Sequence, residues 1–298
     1  MQAKAVPILN LNEFEIVTLK TGVKSLRSLE RGETFHPGIG PLIEANQLHV
    51  DQQRIIERSE ALQKSGKKYV IWDVGLGAAA NVLAAIEALK ETRTDIEIHS
   101  FDKTTAPAEF AILHAEELGY LSPYKEMLFQ LLHDREVQVS DRIVWKFHLG
   151  DFGNLLSTQR FVAPNTILYD PYSAKGNPEM WTFEHFQQLY LQTDSSVPCL
   201  LTNYTCSTAV RVALILAGFS VGRGCAVHTK RETTIASNQL SLLEDPLDLK
   251  WLERVKNSTN AAPLRGSSSE VAYSTTRISD LDFEMLQRSP QFQDRGGG

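Results

Sequence analysis

The sequence predicts an α/β fold, a mostly parallel β-sheet covered by helices on both faces. Three observations predict it. Strand-like and helix-like segments alternate from residue 69 to residue 227. The first of these strands, YVIWDV, runs through the turn Gly75-Leu76-Gly77 into a helix-like segment. Asp73, Asp102 and Asp170 all fall at predicted strand C-terminal ends, the edge along which right-handed crossovers make such sheets bind ligands.

The elements follow in order. Residues 14–35 read as short strands, with FEIVTLKTGVKSLRSLE alternating and broken at Thr21-Gly22 as a hairpin. The stretch GETFHPGIGP is rich in Gly and Pro; after Pro41, LIEANQLHVDQQRIIERSEAL has helical periodicity. Strands are expected near 69–74, 97–102, 143–148, 165–170, 197–203 and 219–227, and helices over 78–91, 108–119, 124–134, 182–192 and 206–217. After about Asn238 the chain turns polar and loses clear periodicity, with one short helix expected in SLLEDPLDLKWLERVKNS. The expected division is an N-terminal β-hairpin and loop element over 1–45, a Rossmann-like domain over 46–238 and a partly ordered tail over 239–298.

Composition narrows the class. At 298 residues, 42% hydrophobic and 22% charged, the chain is an ordinary soluble globular protein with ample core. No apolar run approaches the roughly 20 residues of a membrane span, and MQAKAVPILNLNEFEI lacks the pattern of a signal peptide. Cys199, Cys206 and Cys225 show no CxxC pairing, so no disulfide framework and no metal is expected, and a cytoplasmic location fits best. The net charge of −6 argues against wholesale coating of nucleic acid but leaves room for a local basic patch.

Asp73-x-Gly75-x-Gly77 carries the main chemical signal. Glycines at a strand–helix turn let a ligand lie against the backbone. An acid at the strand end suits a ligand with an ammonium or hydroxyls, and S-adenosylmethionine has both. The plain alternative is an ordinary strand–helix turn. A rival ligand is a nicotinamide dinucleotide, because Gly75-x-Gly77-x-x-Ala80 also satisfies GxGxxA. Asp73, two residues before the first glycine, and the roughly 70 residues preceding the motif favour the methyl donor. Asp102 follows Gly77 by 25 residues, near the roughly 20-residue spacing of an acid that accepts from both ribose hydroxyls; its plain reading is a helix N-cap. Asp151, after Gly150, is a weaker candidate for the adenine amine, a surface turn being nearly as plain a reading.

A second segment, YDPYSAKGNPEMW, bears on the acceptor. An acid at a strand end followed by Pro and an aromatic can orient amine N–H groups and cradle positive charge. Asp170 and Tyr172 are therefore the candidate catalytic pair, against a simple strand-ending turn at Pro171. Lys175 can meet a phosphate, and Trp181 can stack a base, although packing into the core is its commoner use. His36, more often a structural hydrogen-bonding residue, and Lys230-Arg231 with Arg223 nearby complete the substrate candidates, and Glu44 lies where a helix could carry it to the cofactor.

Taken together, these segments resemble the MnmC-type methyltransferases that form 5-methylaminomethyl-2-thiouridine in tRNA. The resemblance runs from about Phe14 to Asn238 through Glu33-Thr34-Phe35-His36, Gly40 to Ala45, the Gly75-x-Gly77-x-x-x-Asn81 turn, Ser100-Phe101-Asp102-Lys103, Leu149-Gly150-Asp151, the Asp170 to Thr182 run and Gly222 to Glu232. It implies a class I S-adenosylmethionine-dependent methyltransferase, with Asn81 in the cofactor turn, acting on the aminomethyl group at the tRNA wobble uridine. Asp170 would then be the catalytic or amine-orienting acid. Ala79 stands where many members have a third glycine, tolerable if that residue is already helical; Tyr172 replaces Phe, and Ala174 replaces Pro. Bifunctional members carry a C-terminal flavin-dependent oxidase; the roughly 60 residues after Asn238 are too few for one, so a stand-alone methyltransferase is expected. The alternatives are an amine methyltransferase with a non-tRNA substrate, a nicotinamide-dependent oxidoreductase, and a donor-binding protein without catalysis.

Overall fold

The computed structural model describes residues 13–227, 231–266 and 271–293. An antiparallel sheet opens it, β1 (Phe14–Thr18), β2 (Lys24–Ser28) and β3 (Glu33–Thr34), turned at Gly22 with φ of 82°. A short helix α1 (Pro41–Ala45), a π-helical turn over Asn46–Asp51 and α2 (Ile55–Gln63) lead into the main unit.

That unit alternates β4 (Tyr69–Val74), α3 (Ala80–Leu89), β5 (Ile96–Asp102), α4 (Ala106–Leu113), α5 (Ala115–Leu118), α6 (Lys125–Asp134), β6 (Glu136–Gln138), β7 (Ile143–Leu149), α7 (Phe152–Thr158), β8 (Thr166–Tyr169), α8 (Phe183–Gln192), β9 (Leu200–Asn203), α9 (Thr208–Leu216), β10 (Ser220–Gly224) and β11 (Thr233–Ser237). The eight strands lie in the order β10-β11-β9-β8-β4-β5-β7-β6. Pairings among β7, β5, β4, β8 and β9 are parallel; β6 and β11 run antiparallel to their neighbours. The order reverses at β4, which lies between β5 and β8, and this switch point fixes where a ligand crevice opens.

β4 is buried along its whole length, as a central strand covered on both faces must be. Tyr69 and Ile71 join the core on the α3 side, and Val70, Trp72 and Val74 join the core against α8 and α9. The π-helical turn holds the N-terminal segment to the sheet through buried polar groups. His49 Nδ1 lies 2.7 Å from Thr202 Oγ1, and Gln53 Nε2 donates to Thr202 Oγ1 at 2.7 Å and to the Ile167 carbonyl at 3.0 Å. Burial, with His36 adding to it, pushes the His49 imidazole down to about 3, so it stays neutral at physiological pH.

The alternation read from the sequence matches this architecture, with four differences. The helix expected over 108–119 is two, α4 and α5, broken at His114, whose φ of −108° and ψ of 22° leave the helical region. The expected strand over 219–227 ends at Gly224, and β6, α7 and β11 were not anticipated. The segment after Asn238 contains two α-helices among its described residues, α10 (Leu249–Asn257) and α11 (Asp280–Gln287), and buries Trp251, Val255, Leu286 and Phe292 in the core beside α9.

The fourth difference concerns Ala79. It is not yet helical: it is the N-cap of α3 in the left-handed region, φ 64° and ψ 12°. A left-handed non-glycine residue costs roughly 1–2 kcal/mol, which offsets what Ala79→Gly loses in buried methyl and chain entropy. Ala79→Gly should therefore change stability by less than about 1 kcal/mol. Ala84→Gly, in mid-helix and buried, should cost about 2 kcal/mol. Urea denaturation of both variants checks the contrast; equal losses would show that the Ala79 conformation carries no strain.

Candidate active site

The C-terminal ends of β4, β5 and β8 open into a cavity of about 720 Å³, a size suited to a cofactor with part of a second substrate. One wall is the turn after β4. Gly75 and Gly77 have φ of 94° and 51°, and the Gly75 and Leu76 N–H groups donate to the Phe101 carbonyl at 3.0 and 3.2 Å, tying the turn to β5. Asp102 closes β5. Its carboxylate accepts from Gly77 N at 3.1 Å and Thr104 N at 3.2 Å, while burial pushes its pKa up against these bonds. Asp102 lines the cavity. Asp151 lines it too, although one oxygen also caps α7 by accepting from Asn154 N at 2.9 Å. Phe101 and Phe152, with ring centroids 4.8 Å apart, form apolar lining beside it.

The opposite wall is the segment after β8. Asn81, on the first turn of α3, donates Nδ2–H to Asp170 Oδ2 at 2.8 Å, and His36 Nε2 lies 3.8 Å from the same oxygen. His36 itself adopts φ of 45°. A Cβ on Gly75 would stand 3.0 Å from the Asp170 carbonyl oxygen, so the two walls touch through backbone. The Tyr172 ring meets Phe35 edge-on at 5.4 Å, and burial first of all pushes its phenol up to about 12. Tyr204 donates its hydroxyl to the Pro171 carbonyl at 3.2 Å.

The structure thus brings Asp170, Tyr172, Asp102, Asp151, Gly75, Gly77, Asn81, Glu44, His36 and Lys175 to one cavity. Glu44 is already engaged, accepting from Ile39 N at 2.9 Å and from Gly38 N. Other sequence candidates fall elsewhere. Asp73 does not line the cavity: it is 1% exposed, and its carboxylate accepts from Ser100 Oγ at 2.7 Å. Burial pushes its carboxyl up to about 7, despite that bond, and Asp170 and Asp102 add to the rise. Its alternation in β4 turns it under the turn, where it supports the β5 side through Ser100, while its other oxygen, Oδ1, is buried without a hydrogen-bond partner. Trp181 is also corrected. It is 1% exposed, stands edge-on to Tyr169, and donates Nε1–H to the Tyr172 carbonyl at 2.8 Å. Arg231 is exposed and lies outside the cavity lining, and Lys230 lies outside the described residues. Arg223 is taken up by Asp245 at 2.9 Å and Asp248 at 3.5 Å, so it adds no open cation to that pair.

Sequence reading missed the cavity contributions of Arg31, Glu33, Phe35, Glu179 and Tyr204. The run Glu33 to His36 stood out only as part of a resemblance; nothing local connects it to residues 140 positions away. Within the cavity the residues fit the methyl donor. The glycine turn leaves room for close approach, and Asp102 offers a carboxylate for a diol. Asn81 Oδ1 is buried with no hydrogen-bond partner, an acceptor that calls for an N–H or O–H of a ligand. Among the described residues no cluster of His, Cys, Asp or Glu could hold a metal, and no helix is long and apolar enough to cross a membrane.

Comparisons with known proteins bear on the fold and the class of cofactor. Residues 119–239 match a family model described as S-adenosyl-L-methionine-dependent methyltransferase. The chain is an S-adenosylmethionine-dependent methyltransferase of class I fold, and the nicotinamide alternative is set aside. Within that class, the resemblance to MnmC-type methyltransferases is borne out by two relatives. The crystal structure of MnmC2 from Aquifex aeolicus superposes with a TM-score of 0.68 at 25% identity, over 92% of this chain and 82% of that one. The bifunctional tRNA 5-methylaminomethyl-2-thiouridine biosynthesis protein MnmC of Campylobacter concisus is 22% identical over 200 residues, 65% of this chain. The match spans 31% of that relative's length.

Proposed function

We propose that this methyltransferase acts on a primary amine, the 5-aminomethyl group of the tRNA wobble 2-thiouridine. The observation that carries the reading is the carboxylate of Asp170, fixed by Asn81 at 2.8 Å in the same cavity as the donor turn. The Campylobacter relative is named for the biosynthesis of a methylaminomethyl uridine in tRNA, which is what such chemistry would make.

When bound, the donor supplies an electrophilic sulfonium methyl. Asp102 would hold its ribose, and Gly75 and Gly77 would let it lie against the turn. Asp170 binds the incoming ammonium and orients it. The ammonium proton would pass to the Asp170 carboxylate or out to solvent, leaving the nitrogen lone pair oriented toward the methyl that the donor would supply. Tyr172 walls the amine with an aromatic ring next to the developing charge. Exposed Lys175, at the cavity, is placed for a tRNA phosphate.

The test is methyl transfer to tRNA from cells unable to complete this modification, read by nucleoside mass spectrometry. Appearance of the methylated wobble nucleoside supports the reading. Transfer to small amines but to no tRNA would move the substrate to the non-tRNA alternative. Asp102→Ala separately checks the donor site. Loss of a charged hydrogen-bond acceptor is worth about 1.5–3 kcal/mol, so calorimetry should show donor affinity falling roughly 10–100-fold. Wild-type affinity would remove Asp102 from the ribose role.

A further inference from the structure

The segment that carries the acceptor residues holds its own local shape. Gly176 N and Asn177 N donate to the Ser173 carbonyl at 2.9 and 2.7 Å, a tight turn three residues beyond Asp170. A turn of this kind does not by itself set how the segment faces the donor. What anchors it comes from the N-terminal sheet, 140 residues away. Glu33 Oε2 accepts from Ser173 N at 3.0 Å, and Glu33 Oε1 accepts from Ser173 Oγ at 2.6 Å. Ser173 Oγ in turn accepts from Gly176 N at 3.2 Å. Beside it, Arg31 Nη1 donates to the Gly176 carbonyl, and its guanidinium stands 5.5 Å from the Tyr172 ring centroid. The fit is close, since a Cβ on Gly176 would collide with Glu33 Oε1.

We propose that Glu33 is a positioning residue for methyl transfer: by gripping Ser173 through both carboxylate oxygens, it sets Asp170 and Tyr172 against the donor turn. The small N-terminal sheet is then a working part of the acceptor site. The inference rests on the amine-acceptor reading of Asp170. Two charge-assisted bonds to one residue fix both direction and distance, which a single neutral bond does not. A displacement near 1 Å at an attacking atom lowers rate about 100-fold, so a lost anchor reads out in turnover.

The experiment compares Glu33→Ala and Glu33→Gln with the wild-type chain by three measurements: amide hydrogen exchange, donor calorimetry and steady-state methyl transfer to the undermodified tRNA. In Glu33→Ala, the Ser173 and Gly176 amides should exchange at least about tenfold faster, while β4 and α3 keep wild-type protection. Donor affinity should stay within threefold, and kcat should fall roughly 10–100-fold with the donor KM unchanged. Glu33→Gln, whose amide oxygen still accepts, should recover part of both losses. Unchanged exchange and turnover in Glu33→Ala overturns the proposal. So does faster exchange throughout β4 and α3 with lost donor binding, which would make Glu33 a general support of the fold. If the wild-type chain methylates no tRNA, the substrate reading falls, and the exchange comparison still decides whether Glu33 holds the segment.

Discussion

Asp170→Ala should lower methyl transfer by about 10²–10⁴-fold, the span expected for a positioned acid–base and orienting group, with donor affinity within threefold of wild type. An alkylammonium resembles the lysine side chain, so at neutral pH only on the order of one molecule in 10³ is the neutral nucleophile. A site that methylates such a group must both attract the cation and bring its freed lone pair into line. On the proposed reading the Asp170 carboxylate does both; its Oδ2 is held by Asn81 Nδ2 at 2.8 Å, with His36 Nε2 3.8 Å from the same oxygen. Asp170→Asn separates shape from charge. Its amide can be accommodated if Asn81 rotates to present Oδ1, so the geometry survives while the charge is lost. Turnover of Asp170→Asn should fall about 10²-fold, less than the alanine variant. Single-turnover methyl transfer, with donor binding measured in parallel, checks both. Wild-type turnover in Asp170→Ala would remove Asp170 from the mechanism.

The residues that were legible in the sequence share a property. Asp102 and Asp170 end apolar runs, so strand polarity alone brings them to one edge, and the Gly75-x-Gly77 spacing identifies the turn between them. Asp73 ends a strand run too, yet it points under the turn. Period-two alternation says which residues share a face, but not which face a helix covers; here the covered face contains Ser100 and Trp145, whose Nε1–H donates to Ser100 Oγ at 2.8 Å. Trp181 illustrates the same gap, since its indole supports Tyr172 from below through a backbone bond. Glu33 and Arg31 were illegible as site residues for a different reason. Their partners, Ser173 and Gly176, come close only when the N-terminal sheet docks on the main one. Ala79 marks the limit of motif reasoning: the missing glycine was visible, and the left-handed backbone it must adopt was not.

The contact between the two walls gives the second large effect. Gly75→Ala should weaken donor binding at least about tenfold and lower turnover further, beyond what its backbone strain accounts for. That strain, for a residue at φ of 94°, is roughly 1–2 kcal/mol. The added methyl would also stand 3.0 Å from the Asp170 carbonyl oxygen, 3.2 Å from its carbonyl carbon and 3.3 Å from Pro171 Cα. These are backbone atoms, so relief cannot come from a side-chain rotation. The turn must retreat from the donor or the acceptor segment must retreat from Asn81, and either motion opens the geometry on which transfer depends. Gly22→Ala is the internal control. It has φ of 82° and nothing within 4 Å of the added Cβ, so it has similar strain without the collision. A larger stability loss in Gly75→Ala than in Gly22→Ala, with donor affinity and turnover reduced in Gly75→Ala alone, would locate the effect in the contact between the walls. Unimpaired transfer by a folded Gly75→Ala would show that the close approach of turn and acceptor segment is not needed for the reaction.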